Sequence, residues 1–325
     1  MRNWNSPDDL MFLRKVFVLL ESKRVLEPKA FGDAAQLDLR GLTFPTVTQL
    51  EIQGRQSSVV RRVAGKLQFE EATLRDVDLS KARLDFSVWN HCVFERVCFD
   101  RASLQQCRFF GCRFINCSFR GANFRDASFS IGRGGLETEF TGTVFEKCDL
   151  RGATCSNPIL RATSFLNCKL PGFVFDGALC DDVTFEGNYK ELTFRGLPGD
   201  SLRNRLRVDL SRVHLMWLNA NFGIDLEQVV LPADDSCFII RDRIRAIDLL
   251  CADLQQEAGP GKKIANVMRA LYSDRALSPL DRNQDSLLIS RAMLADFAET
   301  EDPDTVETLF ELMRSLCRSE GVLVK

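Results

Sequence analysis

The chain has 325 residues, a formal net charge of −2 and 45% hydrophobic residues. This composition is typical of a soluble globular protein, and the even charge balance predicts no general attraction to nucleic acid or to anionic membranes. Only two histidines are present, which restricts both metal sites and general-base chemistry.

A helix is the first predicted element. Ser6-Pro7-Asp8-Asp9 combines a capping side chain, a proline in the first turn and early acidic residues. Leu13, Phe17 and Leu20 then form one apolar face, and the pattern ends before Pro28. We expect residues 1–35 to form an N-terminal helical cap.

The same region argues against a membrane or exported protein. The apolar run Val16–Leu20 is too short to cross a bilayer, and its flanks do not resemble a secretory signal. We therefore expect a cytoplasmic protein without a membrane partner, in which the twelve cysteines are reduced thiols.

A period of five residues dominates the next part of the chain. Steps of five from Phe69 reach a large apolar residue each time, and the residue two positions earlier is small or aliphatic. The large residues are Phe69, Leu74, Leu79, Leu84, Trp89, Phe94, Phe99, Leu104, Phe109, Phe114, Phe119, Phe124 and Phe129. The three positions between are mostly polar.

This period fits neither an α-helix nor a simple strand. It predicts a square coil in which each side contributes two inward residues of every five, and successive coils stack at strand spacing. Cys107, Cys112 and Cys117 occupy the small inward position, so we interpret them as core residues. A structural zinc site is the alternative, but it usually requires four ligands with CxxC-like spacing.

The register resembles that of the pentapeptide-repeat family. Matching triplets include Ala72-Thr73-Leu74, Ala82-Arg83-Leu84, Ala102-Ser103-Leu104, Ala122-Asn123-Phe124 and Ala127-Ser128-Phe129. The resemblance implies a mainly β fold, namely a right-handed quadrilateral β-helix. With the N-terminal cap and the C-terminal region, the expected architecture is a pentapeptide-repeat β-helix with an N-terminal helical cap and a C-terminal α-helical domain.

The repeat is interrupted in places, and we expect it to occupy residues 36–232. Residues 45–66 fit the register poorly, and the eleven residues from Phe129 to Phe140 suggest one extra residue around positions 130–139. After Pro232 the period changes to 3.6, which predicts a helical domain at 233–325. Its expected helices are at about 237–257, 262–272, 286–299 and 304–318.

Motifs for catalysis are weak. The segment Gly259–Lys263 lacks the spacing and the Ser or Thr of a phosphate-binding loop, so an ordinary helix start is favoured over anion binding. Cys92 beside His91 is a sequence adjacency whose side chains should point in opposite directions. We expect a protein that is not an enzyme and that needs neither a cofactor nor a metal.

Charge at the outward positions bears on the partner. Family members that bind DNA gyrase resemble duplex DNA and are acidic, whereas residues 67–129 carry eight acidic and nine basic residues. Binding of gyrase or another topoisomerase by DNA mimicry is therefore the alternative function rather than the leading one. A homodimer is a further expectation that the resemblance carries. The acidic C-terminal region argues against a nucleic-acid partner.

Several outward positions are candidates for binding a protein partner. They are apolar residues where polar ones predominate, or exposed arginines: Phe86, Phe110, Ile115, Arg108, Arg113 and Arg133. The loop around residues 133–137 belongs with them, because loops on rigid scaffolds often carry specificity. The leading hypothesis is a non-catalytic scaffold, in an adaptor, inhibitor or immunity role, with the helical domain as a recognition element. Deleting residues 233–325 should then leave a folded β-helix that no longer captures its partner.

Overall fold

The computed structural model describes residues 7–32, 34–44, 61–63, 66–256, 259–272, 284–299 and 302–324. The expected capping residue Ser6 and most of the poorly fitting segment 45–66 lie outside these ranges. The chain forms two compact units. Unit 1 comprises residues 1–173 and 182–184, and unit 2 comprises residues 174–181 and 185–325.

Unit 1 is a β-helix with four sides, here called faces 1 to 4. Its strands pair in parallel, except that Arg61–Val63 is antiparallel to Lys66–Glu70. Face 1 contains Lys66–Glu70, Val88–Asn90, Arg108–Phe110, Ser128–Ser130 and Thr154–Ser156. Face 2 contains Val25–Leu26, Thr73–Arg75, Val93–Glu95, Arg113–Ile115, Glu139–Thr141 and Ile159–Arg161. Face 3 contains Leu37–Asp38, Val77–Asp78, Ser118–Arg120, Val144–Glu146 and Ser164–Leu166. Face 4 is held by parallel bridges that join Thr43, Arg83, Ser103, Asn123, Asp149 and Lys169.

Each side ends in a corner residue with a left-handed backbone. Every fifth residue from Glu71 to Asp126 has φ between 52° and 66°. Polar residues and glycine predominate there, because this conformation is unfavourable for bulky side chains. Phe86 is the one large apolar residue in that series. The alternation of short strands and tight corners is the physical origin of the five-residue period.

The inward residues stack in columns through the β-helix. Phe94 lies 4.7 Å from Phe114, and Phe114 lies 4.8 Å from Phe140, with ring planes within 8° of parallel. Neighbouring sides meet edge to face, as Phe109 and Phe114 do at 5.3 Å. These rings are fully buried, so the apolar positions predicted by the sequence form the core.

Helix α1 (Pro7–Glu21) packs on this core at its N-terminal end. Val16 and Leu20 are buried, and the ring of Phe17 lies 5.7 Å from Phe44 and 6.4 Å from Phe69. The predicted helical cap is therefore present. A short 3-10 helix, Pro28–Ala30, follows it.

The interruption after Phe129 is larger than predicted. Phe114 pairs with Phe140 and Phe129 with Cys155, which are separations of 26 residues, whereas Phe94 and Phe114 are 20 apart. Six residues are thus inserted rather than one. Counting in steps of five could not distinguish one extra residue from one residue plus a complete repeat.

Unit 2 begins with strands of the same type and ends in a mixed α/β region. Its strands are Val174–Asp176, Leu179–Asp181, Val183–Arg195 from Phe185 onward, Val208–Asn221, Cys237–Ile240 and Leu287–Ser290. Its helices are α2 (Ser201–Asn204), α3 (Arg243–Leu254), α4 (Pro260–Tyr272), α5 (Arg291–Ala298) and α6 (Pro303–Ser319). Helices were expected to begin near residues 237 and 286, but both segments start as strands, and these two strands pair antiparallel.

The C-terminal helices of unit 2 pack on its longest strand. The ring of Trp217 lies 5.0 Å from Phe297, and the hydroxyl of Ser290 donates a hydrogen bond to the carbonyl oxygen of Met216 at 2.7 Å. The side-chain amide of Gln284 donates to the carbonyl oxygen of Ile224 at 2.6 Å. In the described ranges, no helix is long and apolar enough to cross a membrane.

Candidate functional site

The six-residue insertion forms a loop at the corner between faces 1 and 2. The chain leaves face 1 at Ser130, makes a short 3-10 turn at Arg133–Gly135 and rejoins face 2 at Glu139–Thr141. The backbone N–H of Gly132 donates to the carbonyl oxygen of Leu136 at 2.6 Å, and the hydroxyl of buried Thr138 donates to the backbone carbonyl oxygen of Ser130 at 2.9 Å. These bonds close the base of the loop.

Glycines let the loop lie directly on the β-helix. A methyl group at Gly111 would lie 2.9 Å from both the carbonyl oxygen of Leu136 and the ring of His91, and one at Gly132 would lie 2.5 Å from His91 Nε2. Gly111 also has φ +59°. The loop is therefore seated against two successive corners, at His91 and Gly111.

The seated loop presents apolar side chains to solvent. Leu136 is 56% exposed and Ile131 is 39% exposed, while Arg133 between them has a side chain that is 87% exposed. Exposed aliphatic residues on a fixed loop supply binding energy without a large ordering cost. We call Ile131, Arg133 and Leu136, together with Phe110 and Ile115, the loop surface.

Three of the six predicted site residues, Phe110, Arg113 and Arg133, lie at this corner, and Ile115 lies at the far end of the neighbouring face 2 strand. Phe110 is the last residue of a face 1 strand and Ile115 is the last residue of the next face 2 strand, and both are half-buried. Arg113 begins that face 2 strand, and Arg133 lies on the loop itself. Phe86 and Arg108 lie away from it, since Phe86 is the corner residue before face 1 and Arg108 begins a face 1 strand.

The exposed arginines differ in their pairing. Arg113 lies 3.4 Å from Glu139, which occupies the position next to it in the following coil, and Arg120 lies 3.2 Å from Glu146. Because of the inserted loop, the residue stacked next to Arg113 in the following coil is Glu139 and not Arg133, which lies twenty positions further along the chain. Arg133 makes a long ion pair, with its guanidinium group 3.9 Å from the carboxylate of Glu70. Among the described residues, no ion pair is recorded for Arg108.

The three cysteines at five-residue spacing are buried thiols. Cys107 donates to the carbonyl oxygen of Leu84 at 3.1 Å, and Cys117 donates to that of Phe94 at 3.3 Å. Burial raises the pKa of both Cys107 and Cys117 to about 12. At neutral pH they are protonated, so they are neither nucleophiles nor ready metal ligands.

Ile131 and Leu136 were missed as candidate residues, although the loop around residues 133–137, which contains Leu136, was singled out. Their signal was present, because two large aliphatic residues flank three glycines in a segment that interrupts the repeat. The seat formed by His91 and Gly111 had no comparable signal. It depends on how far the loop reaches back along the coils, which a single sequence does not encode locally.

A scan against protein-family models matches this chain to the model described as pentapeptide repeats. Eight copies are found, over residues 72–109, 107–130 and 138–178. A search of curated protein sequences finds no match.

A search of solved structures matches this chain to QnrB1, HetL and Rfr23, among others. A trypsin-treated variant of QnrB1, a plasmid-mediated fluoroquinolone resistance protein, is 17% identical, covers 62% of this chain and 93% of its own, and has a TM-score of 0.32. HetL, a pentapeptide-repeat protein involved in heterocyst differentiation regulation in Nostoc sp. strain PCC 7120, is 14% identical, with 63% and 94% coverage and a TM-score of 0.30. Rfr23 from Cyanothece 51142 is 12% identical, with 56% and 99% coverage and a TM-score of 0.22.

Proposed function

We propose that this chain, which is a pentapeptide-repeat protein, is a non-catalytic scaffold that binds a protein partner through the loop surface of its β-helix. The observation that carries this proposal is the exposure of Ile131 and Leu136 on a loop seated against the β-helix. A regular solenoid gains nothing in stability from such residues, because they contact solvent rather than the core.

The chemistry of the loop surface fits a protein partner. Exposed Ile131 and Leu136 and half-buried Phe110 and Ile115 supply apolar contact area, and Arg133 supplies an exposed charged group. Protein interfaces commonly combine an apolar centre with a polar rim and an arginine. Among the described residues, no group of three or more His, Cys, Asp or Glu side chains is arranged to hold a metal ion.

The C-terminal region is the competing location for the partner site. Helix α3 borders a shallow depression of about 490 Å³, lined by Asp242, Ile244, Arg245, Asp248, Leu249 and Ala252. Its apolar residues Ile244 and Leu249 are half-buried, as Phe110 and Ile115 are, whereas Ile131 and Leu136 of the loop are 39% and 56% exposed. We therefore place the site on the loop surface.

Affinity capture from a native lysate, read by mass spectrometry, tests this placement. The double variant Ile131→Ser with Leu136→Ser should lose a protein that the natural chain captures. Leu202→Ser with Val230→Ser is the matched control, because these residues are also exposed, by 65% and 50%, and lie in unit 2. If the loop variant captures the same protein as strongly as the control, the loop surface is not the binding site.

DNA mimicry toward gyrase or another topoisomerase has less support. A mimic of duplex DNA requires a strongly acidic surface, whereas residues 67–129 carry nine basic residues against eight acidic ones. We expect the purified protein to leave gyrase supercoiling unchanged over a wide concentration range. Inhibition that survives the loop substitutions would favour mimicry over the scaffold proposal.

A further inference from the structure

Face 4 of the β-helix and its two corners carry an excess of positive charge. The stacked outward positions from residue 81 to residue 169 contain seven basic and three acidic residues, although the chain as a whole has a net charge of −2. Exposed basic side chains occur in each successive coil, namely Lys81, Arg83, Arg101, Arg125, Lys147, Arg151 and Lys169. We call this surface the basic face.

Within the described residues little of this charge is neutralised, although Lys147 Nζ lies 3.9 Å from a carboxylate oxygen of Glu146. The carboxylate of Asp149 pairs with Arg151 at 2.6 Å, and that arginine lowers the pKa of the carboxyl group. The carboxylate of Asp85 instead accepts hydrogen bonds from the hydroxyl of Ser103 at 2.6 Å and from a backbone N–H. In the part of the chain that the structure describes, no ion pair is recorded for Lys81, Arg83, Arg101 or Arg125.

The spacing of these charges favours one kind of partner. Successive coils are about 4.8 Å apart, so cations of neighbouring coils repeat at about that distance along the stack. Carboxylates three or four residues apart on an α-helix repeat every 4.5 to 6 Å, approximately, whereas alternate residues of a strand repeat at about 6.7 Å. From Arg83 to Lys169 is four coil steps, or roughly 19 Å, which about 13 helical residues span.

Phe86 provides an apolar contact at one end of the basic face. It occupies the corner that follows Arg83 and Asp85, its side chain is 48% exposed, and its φ is +66°. A bulky residue adopts this conformation at a higher cost in stability than glycine or a small polar residue does. An aromatic side chain kept at an exposed and unfavourable corner is a candidate anchor for a partner.

We propose that the basic face binds an acidic α-helix of a partner protein, with Phe86 contacting an apolar residue near one end of that helix. This inference goes beyond the loop surface, since it concerns different residues on another face, and either site stands if the other fails. A protein helix fits better than nucleic acid, because Asp85, Asp126 and Asp149 lie among the cations and would repel a continuous row of phosphates.

Fluorescence anisotropy with a defined probe tests the proposal. The probe is a labelled alanine-rich helix of about 20 residues, with glutamates at three- and four-residue spacing and a leucine near one end. The comparison peptide has glutamine in place of glutamate. At low ionic strength we expect the glutamate peptide to bind about tenfold more tightly than the glutamine peptide, since several exposed ion pairs add modestly.

Two triple variants with the same change in net charge distinguish binding by the basic face from non-specific electrostatic attraction of the peptide. Arg83→Glu, Arg101→Glu and Arg125→Glu together should weaken binding of the glutamate peptide at least tenfold, and Phe86→Ser alone should weaken it severalfold. Lys190→Glu, Arg195→Glu and Lys262→Glu, all exposed and in unit 2, should change it little. Thermal melts should show both triple variants folded, because every substituted side chain is exposed.

Three outcomes would overturn the inference. The first is equal binding of the glutamate and glutamine peptides by the natural chain. The second is an equal loss of binding in both triple variants, which would mean that net charge rather than the basic face attracts the peptide. The third is a short DNA duplex that binds more tightly than the peptide and is released by the basic-face variant, which would assign the surface to nucleic acid.

Discussion

Gly111 determines how closely the loop lies on the β-helix. Replacing it with alanine introduces a methyl group 2.9 Å from the carbonyl oxygen of Leu136, in addition to the cost of a left-handed backbone. Gly121→Ala is the matched control, since its φ is +66° but its methyl group would meet only Arg101 at 3.6 Å. We expect both changes to lower the free energy of unfolding, Gly111→Ala by about 1–2 kcal/mol more.

Urea denaturation measures this difference, and limited proteolysis reports whether the loop is released. Equal losses for Gly111→Ala and Gly121→Ala, with unchanged cleavage of the loop, would mean that the loop is not held against this corner.

The buried thiols predict both low reactivity and a dependence of stability on pH. Ten cysteines are buried, whereas Cys98 and Cys237 are partly exposed. In the folded protein at pH 8, a thiol reagent such as Ellman's reagent should label at most these two, and all twelve should react after unfolding. Rapid labelling of Cys107 or Cys117 in the folded chain would contradict the buried assignment.

The sign of the pH effect follows from the raised pKa values. Cys107 and Cys117 each have a pKa of about 12 when folded, against an ordinary value of 9.0. The folded state therefore binds these protons more tightly, and the resulting stabilisation is complete below about pH 9 and lost as the pH rises toward 12. The free energy of unfolding measured by urea denaturation should fall above pH 9, by up to about 1.4 kcal/mol per pH unit for each thiol. It should fall less steeply in Cys117→Ala.

At the residue level, the sequence predicted the core well. Phe94, Phe114 and their equivalents are buried because the five-residue unit specifies both the strand and the corner within a few positions. The pairing of Arg113 with Glu139 was missed, because it joins residues whose separation depends on the length of the insertion.

At the level of elements, the loop is separable from the repeat. Deleting residues 131–136 makes Phe140 the fifth residue after Phe129, so the repeat spacing is restored, with Thr138 in the small inward position. We expect the shortened chain to fold, with a free energy of unfolding within about 1 kcal/mol of the natural chain, because loop closure entropy offsets the lost contacts. Circular dichroism melts measure this stability, and affinity capture tests whether the shortened chain still binds a partner.

The shortened chain should no longer capture the partner proposed for the loop surface. A deletion of residues 141–146 is the control for folding, since it removes the corner at Gly142 and the complete face 3 strand Val144–Glu146 and should abolish the cooperative melt. A shortened chain that folds and still captures the partner would move the site elsewhere.

The strands Cys237–Ile240 and Leu287–Ser290 were predicted as helix for a physical reason. Each is a four-residue apolar segment followed almost directly by a helix, so Ile240 and Ile244 continue an apparent 3.6-residue period. A short buried strand and a buried helical turn have the same apolar pattern, and length alone distinguishes them. The pairing of the two strands across fifty residues carries no local signal.

At the level of the whole molecule, the C-terminal helices cover part of the preceding strand. Trp217 packs against Phe297, and the carbonyl oxygens of Met216 and Ile224 accept hydrogen bonds from Ser290 and Gln284. A chain ending at residue 232 therefore leaves an aromatic side chain exposed and two carbonyl groups without these donors. We expect it to keep a β-type circular dichroism spectrum but to melt lower and to bind the dye ANS.

Phe297→Ala in the full chain isolates one part of that contact. Removing a buried aromatic ring should lower the free energy of unfolding by about 3–5 kcal/mol, and it should expose less apolar surface than the truncation does. The thermal midpoint and ANS fluorescence of the truncated chain should therefore change more than those of Phe297→Ala. A truncated chain that melts like the full chain and binds no dye would mean that the helices contribute nothing to the stability of the strand, and they would then be free to act as the independent recognition element that the sequence suggested.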